Sequence, residues 1–147
     1  MLSTQIDSWL ELALSVSKKS LLVDSAYSVG AVVTDAKGIA LLSTGYSREQ
    51  HGKQHAEEAA ILKANTELTG YAIFSTLEPC SERASSPTSC CELIIKAGIK
   101  SCFFILKEPT NFVICKGVEV LTQNGVSVFQ VNKFESEVKL INAHILK

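Results

Sequence analysis

His55-Ala56-Glu57, Pro79-Cys80 and Cys90 are the residues whose types and spacing could do chemistry. Imidazole nitrogen and thiolate sulfur are good zinc ligands. Three protein ligands leave a fourth position for water, which marks a catalytic site rather than a closed structural one. Two thiolates and a neutral imidazole cancel the charge of a divalent ion, so water held there can become a nucleophile near neutral pH. The same donors also suit iron. A carboxylate beside that water, Glu57, can take its proton and deliver it to a substrate. His55 and Glu57 are two residues apart, which puts them on different sides of an ideal helix. They share a pocket only where the motif lies at a helix end. Cys90 falls where a helix is expected to begin, and a helix N-terminus favours the thiolate. Cys91 competes with it as a ligand. Three unrelated core residues are the bland alternative for His55, Cys80 and Cys90, and Glu57 and Pro79 in their places argue against it.

The elements that must position these residues follow from pattern. Ile6, Trp9, Leu10, Ala13 and Leu14 recur at helical spacing, behind a capping-box-like Thr4-Gln5-Ile6-Asp7. This predicts a helix from about Thr4 to Lys19. Val29 to Thr34 and Ile39 to Gly45 read as a hairpin around Asp35-Ala36-Lys37-Gly38. Gln54 to Thr66, rich in Ala, Glu, Leu and Lys, reads as the helix carrying His55 and Glu57. Tyr71 to Leu77 reads as a buried strand leading to Cys80. Cys90 to Ala97 reads as a helix closed by Gly98, and Ser101 to Leu106 as a strand. Val113 to Gln123 is expected to be a helix, Val126 to Val131 a strand and Phe134 to Leu146 a last helix. Strands separated by helices favour parallel pairing through right-handed crossovers. The expected fold is α/β, a three-layer α/β/α sandwich on a five-stranded mixed sheet whose last two strands are parallel.

Composition bounds the remaining possibilities. The 147 residues fit one domain, 1–147, and 46% are hydrophobic, enough for a real core. With 14 Lys and Arg against 15 Asp and Glu, the chain lacks the basic excess of a general nucleic-acid binder. Its longest apolar run, Cys102 to Leu106, is far short of the roughly 18 residues of a membrane span. Asp7 and Glu11 interrupt the N-terminus, so no signal peptide is expected. The expectation is therefore a chain in the cytoplasm, with the nucleus also open to it. A small-molecule partner is expected, with no nucleic acid and no membrane. Five cysteines, an odd count, do not suggest a disulfide framework in a reducing compartment.

His-x-Glu followed by Pro-Cys and a second Cys resembles the signature of the zinc-dependent cytidine deaminase superfamily. The usual form is Pro-Cys-x-x-Cys. Here Ser81 to Ser89 separate Cys80 from Cys90, and so long an insertion is similar to the riboflavin-pathway deaminases. Gly45-Tyr46-Ser47-Arg48-Glu49, Leu77-Glu78-Pro79-Cys80-Ser81-Glu82-Arg83-Ala84-Ser85 and Leu106-Lys107-Glu108-Pro109 look like runs of that branch's fungal members, as does Cys115-Lys116-Gly117-Val118. The resemblance implies a cytidine deaminase-like fold, one zinc ion on His55, Cys80 and Cys90, and a homodimer. It implies hydrolysis of the 2-amino group of a diaminopyrimidinone bearing a ribitylamino phosphate, with Glu57 as proton shuttle. Bacterial relatives carry a fused reductase for which this chain has no room, so the deaminase step alone is expected. The family pattern places the second sulfur ligand ten residues after the first, at Cys90.

The remaining candidates are substrate contacts. Arg83 and Ser85 lie in the inserted loop, where a guanidinium and hydroxyls suit a phosphate. Lys107 follows the carboxyl end of a strand, where ligands collect in α/β sheets. Arg48 leads into the metal helix. For Val29 and Gly30 the resemblance suggests contact with the base, and simple core packing explains Val29 equally well. Glu78 is expected to accept loop hydrogen bonds. Cys91, Cys102 and Cys115 are expected to be thiols without assigned chemistry. Two other readings stand beside this one. Another nucleobase deaminase, acting on tRNA adenosine or guanine, would use the same metal chemistry. A non-enzymatic zinc-stabilised subunit would often lack the carboxylate that is present here at Glu57.

Overall fold

A computed structural model describes residues 1–83, 88–109 and 115–146. Five strands form one mixed sheet in the order β2-β1-β3-β4-β5. They are β1 (Gly30–Thr34), β2 (Leu41–Tyr46), β3 (Ala72–Leu77), β4 (Ser101–Leu106) and β5 (Ser127–Gln130). The hairpin β1–β2 is antiparallel and β1 also meets β3 antiparallel, whereas β3–β4 and β4–β5 are parallel. Parallel neighbours need crossovers, and α3 (Cys90–Lys96) and α4 (Gly117–Gln123) supply them.

The helices cover both faces. α1 (Ser3–Ser17) and α5 (Glu135–Ile141) pack together against the inner strands, while α2 (Ala56–Ala64), α3 and α4 follow one another across the opposite face. β1, β3 and nearly all of β4 are buried, as strands covered on both sides must be. Phe74, Phe103 and Phe129 stand in register on β3, β4 and β5 and stack with centroids 4.9 and 5.1 Å apart, extending the core toward the β5 edge. No helix among the described residues is long and apolar enough to cross a membrane.

Two glycines let helices approach the hairpin closely. A Cβ on Gly30 would overlap the carbonyl oxygen of Ala13 in α1, and one on Gly45 would overlap that of Ala56 in α2. The second contact seats the first turn of α2, and with it His55 and Glu57, against β2.

Element order and fold agree with the expectation, and the differences lie at the ends. α1 starts earlier, because the Gln5 carboxamide rather than Asp7 caps it, accepting from Leu2 N at 2.7 Å. α2 starts at Ala56 instead of Gln54, since Gln54 is drawn into the preceding turn. Its carbonyl accepts from Arg48 N at 2.7 Å, and its buried carboxamide pairs with Gln50. α5 stops at Ile141 rather than Leu146, because Asn142 turns inward. The expected start of α4 at Val113 lies outside the described residues.

Candidate active site

His55 is the cap residue of α2, in extended conformation, and Glu57 is the second residue of the helix proper. The two-residue spacing therefore wraps around a helix end and brings both side chains to one cavity. The approach to this cap is tightly held. His55 N donates to the Glu58 carboxylate at 3.4 Å, and Glu49 accepts from Tyr46 N while pairing with Lys63.

Cys80 arrives from the end of β3 and Cys90 from the first residue of α3. Their sulfurs lie 3.5 and 3.3 Å from His55 Nδ1, and Cys90 N donates to Cys80 Sγ at 3.3 Å. All three donor atoms fall within 4.8 Å of one another, the one such cluster of His, Cys, Asp or Glu among the described residues. One nitrogen and two sulfurs at this separation fit a divalent ion of the zinc type, with room for a fourth ligand.

The next residue, Cys91, points elsewhere. Its Sγ lies 3.5 Å from Pro79 O and 3.8 Å from Gly117 O. Cys115 Sγ also meets Pro79 O, at 3.3 Å. Cys102 is fully buried in β4. Burial pushes all three thiols well above their ordinary range. The sulfurs at the cluster behave differently. The hydrogen bond from Cys90 pulls Cys80 down to about 5 against its burial, and His55 adds to this, while Cys90 retains its proton and is pushed up. Burial opposes protonation of His55, but the hydrogen bond and charge of Cys80 outweigh it and hold the imidazole above its usual value.

Glu57 is 3% exposed, and burial raises it to about 7, with the Cys80 charge adding to the effect. It faces a cavity of about 340 Å³ lined by His55 and Cys80, by the apolar surface of Tyr27, Val29 and Leu77, and by Glu108. Glu108 is raised to about 7, chiefly by burial and then by Cys80. The pattern that pointed to Lys107 missed this carboxylate by one residue. Lys107 is exposed and stands outside the lining, while Glu108 turns inward beside it. The sequence carries no signal that sets Glu108 apart from Lys107, because β4 is buried from Cys102 to Leu106 without alternation and ends before both.

The other substrate candidates divide. Val29 and Arg83 line the cavity, whereas Gly30 does not and packs on α1 instead. Arg83 is engaged: its guanidinium donates to Glu58, Thr88 O and Lys53 O, tying the inserted loop to the first turn of α2. Its Nε is buried without a hydrogen bond. Arg48 lines the cavity but donates to Leu21 O, Tyr27 O and Ser28 Oγ. Ser85 lies outside the described residues. Glu78 takes the bridging role expected of it, accepting from Val118 N at 3.0 Å and Glu108 N at 3.4 Å.

Known proteins resemble this arrangement over most of its length. A diaminohydroxyphosphoribosylamino-pyrimidine deaminase of Schizosaccharomyces pombe is 42% identical over 130 residues, covering 85% of this chain and 32% of its own. The riboflavin biosynthesis protein RibD of Aquifex aeolicus is 35% identical over 135 residues, covering 91% of this chain and 36% of its own. This chain thus spans about a third of each relative. Among solved structures, the Thermotoga maritima diaminohydroxyphosphoribosylaminopyrimidine deaminase/5-amino-6-(5-phosphoribosylamino)uracil reductase superposes with a TM-score of 0.84 at 32% identity, over 95% of this chain and 40% of that one. The Aspergillus oryzae Rib2 deaminase in complex with DARIPP gives a TM-score of 0.84 over 96% of this chain and 92% of that one, and at 24% identity it speaks for the fold. The family model for the cytidine and deoxycytidylate deaminase zinc-binding region matches residues 3–106, which include His55, Glu57, Cys80 and Cys90. This chain belongs to the cytidine and deoxycytidylate deaminase zinc-binding family.

Proposed function

We propose that the chain is a zinc-dependent hydrolytic deaminase of riboflavin biosynthesis. It would remove the 2-amino group of 2,5-diamino-6-ribitylamino-4-pyrimidinone 5'-phosphate to give the aminouracil and ammonia. The observation that carries this reading is the meeting of His55, Cys80 and Cys90 beside a buried carboxylate, Glu57, at the wall of one cavity. The substrate class is supported by the names of the relatives and by the DARIPP complex of the Rib2 neighbour.

His55 Nδ1 and the sulfurs of Cys80 and Cys90 would hold the zinc. Bound there, zinc supplies Lewis-acid charge that lets water attack near neutral pH. Glu57 takes a proton from the attacking water and passes it to a ring nitrogen. It then takes the proton of the new carbon-bound hydroxyl and gives it to the amine, which leaves as ammonia as the carbonyl forms. A carboxyl group near 7 is suited to both halves of that exchange. Tyr27 and Val29 offer an apolar surface to the pyrimidine. Arg83 and Ser85 are assigned to the phosphate end, Arg83 through its unpaired Nε. The partner is a small phosphorylated pyrimidine, the compartment the cytoplasm and the assembly a homodimer.

Zinc-loaded protein incubated with that pyrimidinone phosphate should release one ammonia per product. Release from another base instead, and none from this one, would remove the substrate assignment. Glu57→Ala should keep one zinc per chain and lose turnover by roughly 100-fold or more; retained turnover would break the role given to Glu57.

A further inference from the structure

Beneath Glu57 lies a hydroxyl that the reaction as written does not use. Ser75 is in the middle of β3, fully buried, with Ala31 and Phe104 as its partners across the sheet. Its Oγ is 3.3 Å from Glu57 Oε2, and Leu77 N donates to the same Oγ at 3.4 Å. A hydroxyl has one proton and can accept as well. With Leu77 N occupying a lone pair, the proton is directed to the carboxylate. No other side chain among the described residues is hydrogen-bonded to Glu57.

A buried hydroxyl is costly to place in a strand interior unless it is partnered, and an apolar side chain would satisfy the packing here without that cost. The partner it has is the group proposed to move protons. We infer that Ser75 is a positioning residue for Glu57. It ties Oε2 to the sheet, so that Oε1 is the oxygen left to exchange protons at the cavity. The contact is long for an O–H···O bond, as hydrogen bonds at unliganded sites often are before they tighten in the complex. The inference rests on Glu57 as the proton carrier and adds the residue that aims it.

The test is a double-mutant comparison with zinc-loaded protein. Ser75→Ala should keep one zinc per chain and leave KM within about twofold, while kcat falls roughly 10- to 100-fold, the scale of a slightly misaimed catalytic group. Ser75→Thr keeps the hydroxyl and should recover most of that loss. In a Glu57→Gln background, Ser75→Ala should change residual turnover little, because the two side chains act as one unit. An unchanged kcat, an equal loss in both backgrounds, or loss of zinc or of folded protein in Ser75→Ala would each overturn the inference. A second readout does not depend on turnover. In metal-free protein at pH 8, the 13C carboxyl resonance of Glu57 should move in Ser75→Ala while those of the other glutamates stay in place. A fixed resonance overturns the positioning role, whereas absent turnover in wild-type protein with a moving resonance defeats the deaminase reading alone.

Discussion

The role proposed for Glu57 combines two requirements that oppose each other: it must sit out of bulk water, and it must ionise. Burial raises its folded-state pKa from 4.5 to about 7. A raised acid pKa contributes stability that is complete below the unfolded value and is lost as pH rises through the folded one. In metal-free protein the penalty therefore develops between about pH 4.5 and 7 and remains above it. A shift of that size corresponds to on the order of 3 kcal/mol, at 1.36 kcal/mol for each pKa unit. Metal-free Glu57→Gln should accordingly melt higher than metal-free wild type at pH 8, with the advantage vanishing near pH 4. An advantage that stays constant across this range would show that burial of the charge is not its source. At this scale the sequence was most legible where chemistry restricts residue type. His, Cys and Glu at these spacings have few other uses, and the choice of Cys90 over Cys91 has a geometric basis at the start of α3. One sulfur meets His55 and the next meets Pro79 O. Cys91→Ser should therefore keep one zinc per chain, and Cys90→Ser should lose most of it, as metal analysis after gel filtration would report.

Part of the cavity wall is the connection from α1 to β1, whose Ser25, Ala26 and Tyr27 belong to the lining. Three distant side chains hold it. Arg48 reaches Leu21 O, Tyr27 O and Ser28 Oγ, and it does so from a left-handed backbone conformation with φ 62, which costs a non-glycine residue of order 1 kcal/mol. Asn142, 1% exposed, brackets Ser28 by accepting from its N–H at 2.7 Å and donating to its carbonyl at 3.2 Å. His144 Nε2 meets Val23 O at 3.0 Å. Asn142→Ala would orphan both buried backbone groups of Ser28 and should destabilise the protein by about 2–4 kcal/mol. Because the released segment is cavity wall, KM should rise severalfold more than kcat falls; an unchanged KM would show that the wall is held without it. This is where sequence reading ran out. Strands and helices were visible because each has its own period, but the anchors of a loop 114 residues away from one of them carry no periodic signal. Arg83 stood out because Arg suits phosphate, and Arg48 because it leads into the metal helix. Their guanidinium groups are spent largely on backbone carbonyls, which composition alone does not distinguish.

At the scale of the whole molecule, the proposed metal site joins parts of the chain that the sheet sets side by side. His55 belongs to the helix packed on the β1–β2 hairpin, whereas Cys80 and Cys90 flank the inserted loop between β3 and α3. The antiparallel β1–β3 pair brings these halves together, and Arg83 links them again through Glu58 and Lys53 O. An ion held by all three donors binds the folded chain and has no assembled site in the unfolded one, so its binding free energy adds to folding stability. At a free zinc level about 1,000 times the dissociation constant, that contribution is about 4 kcal/mol. A strong chelator should therefore lower the melting temperature by several degrees or more, and stoichiometric zinc should restore it. The gain should disappear in His55→Ala and persist in Cys102→Ala, whose sulfur lies in the β4 core away from the cluster. The His55→Ala arm carries the decision. Stabilisation by zinc that survives loss of the imidazole would place the ion elsewhere.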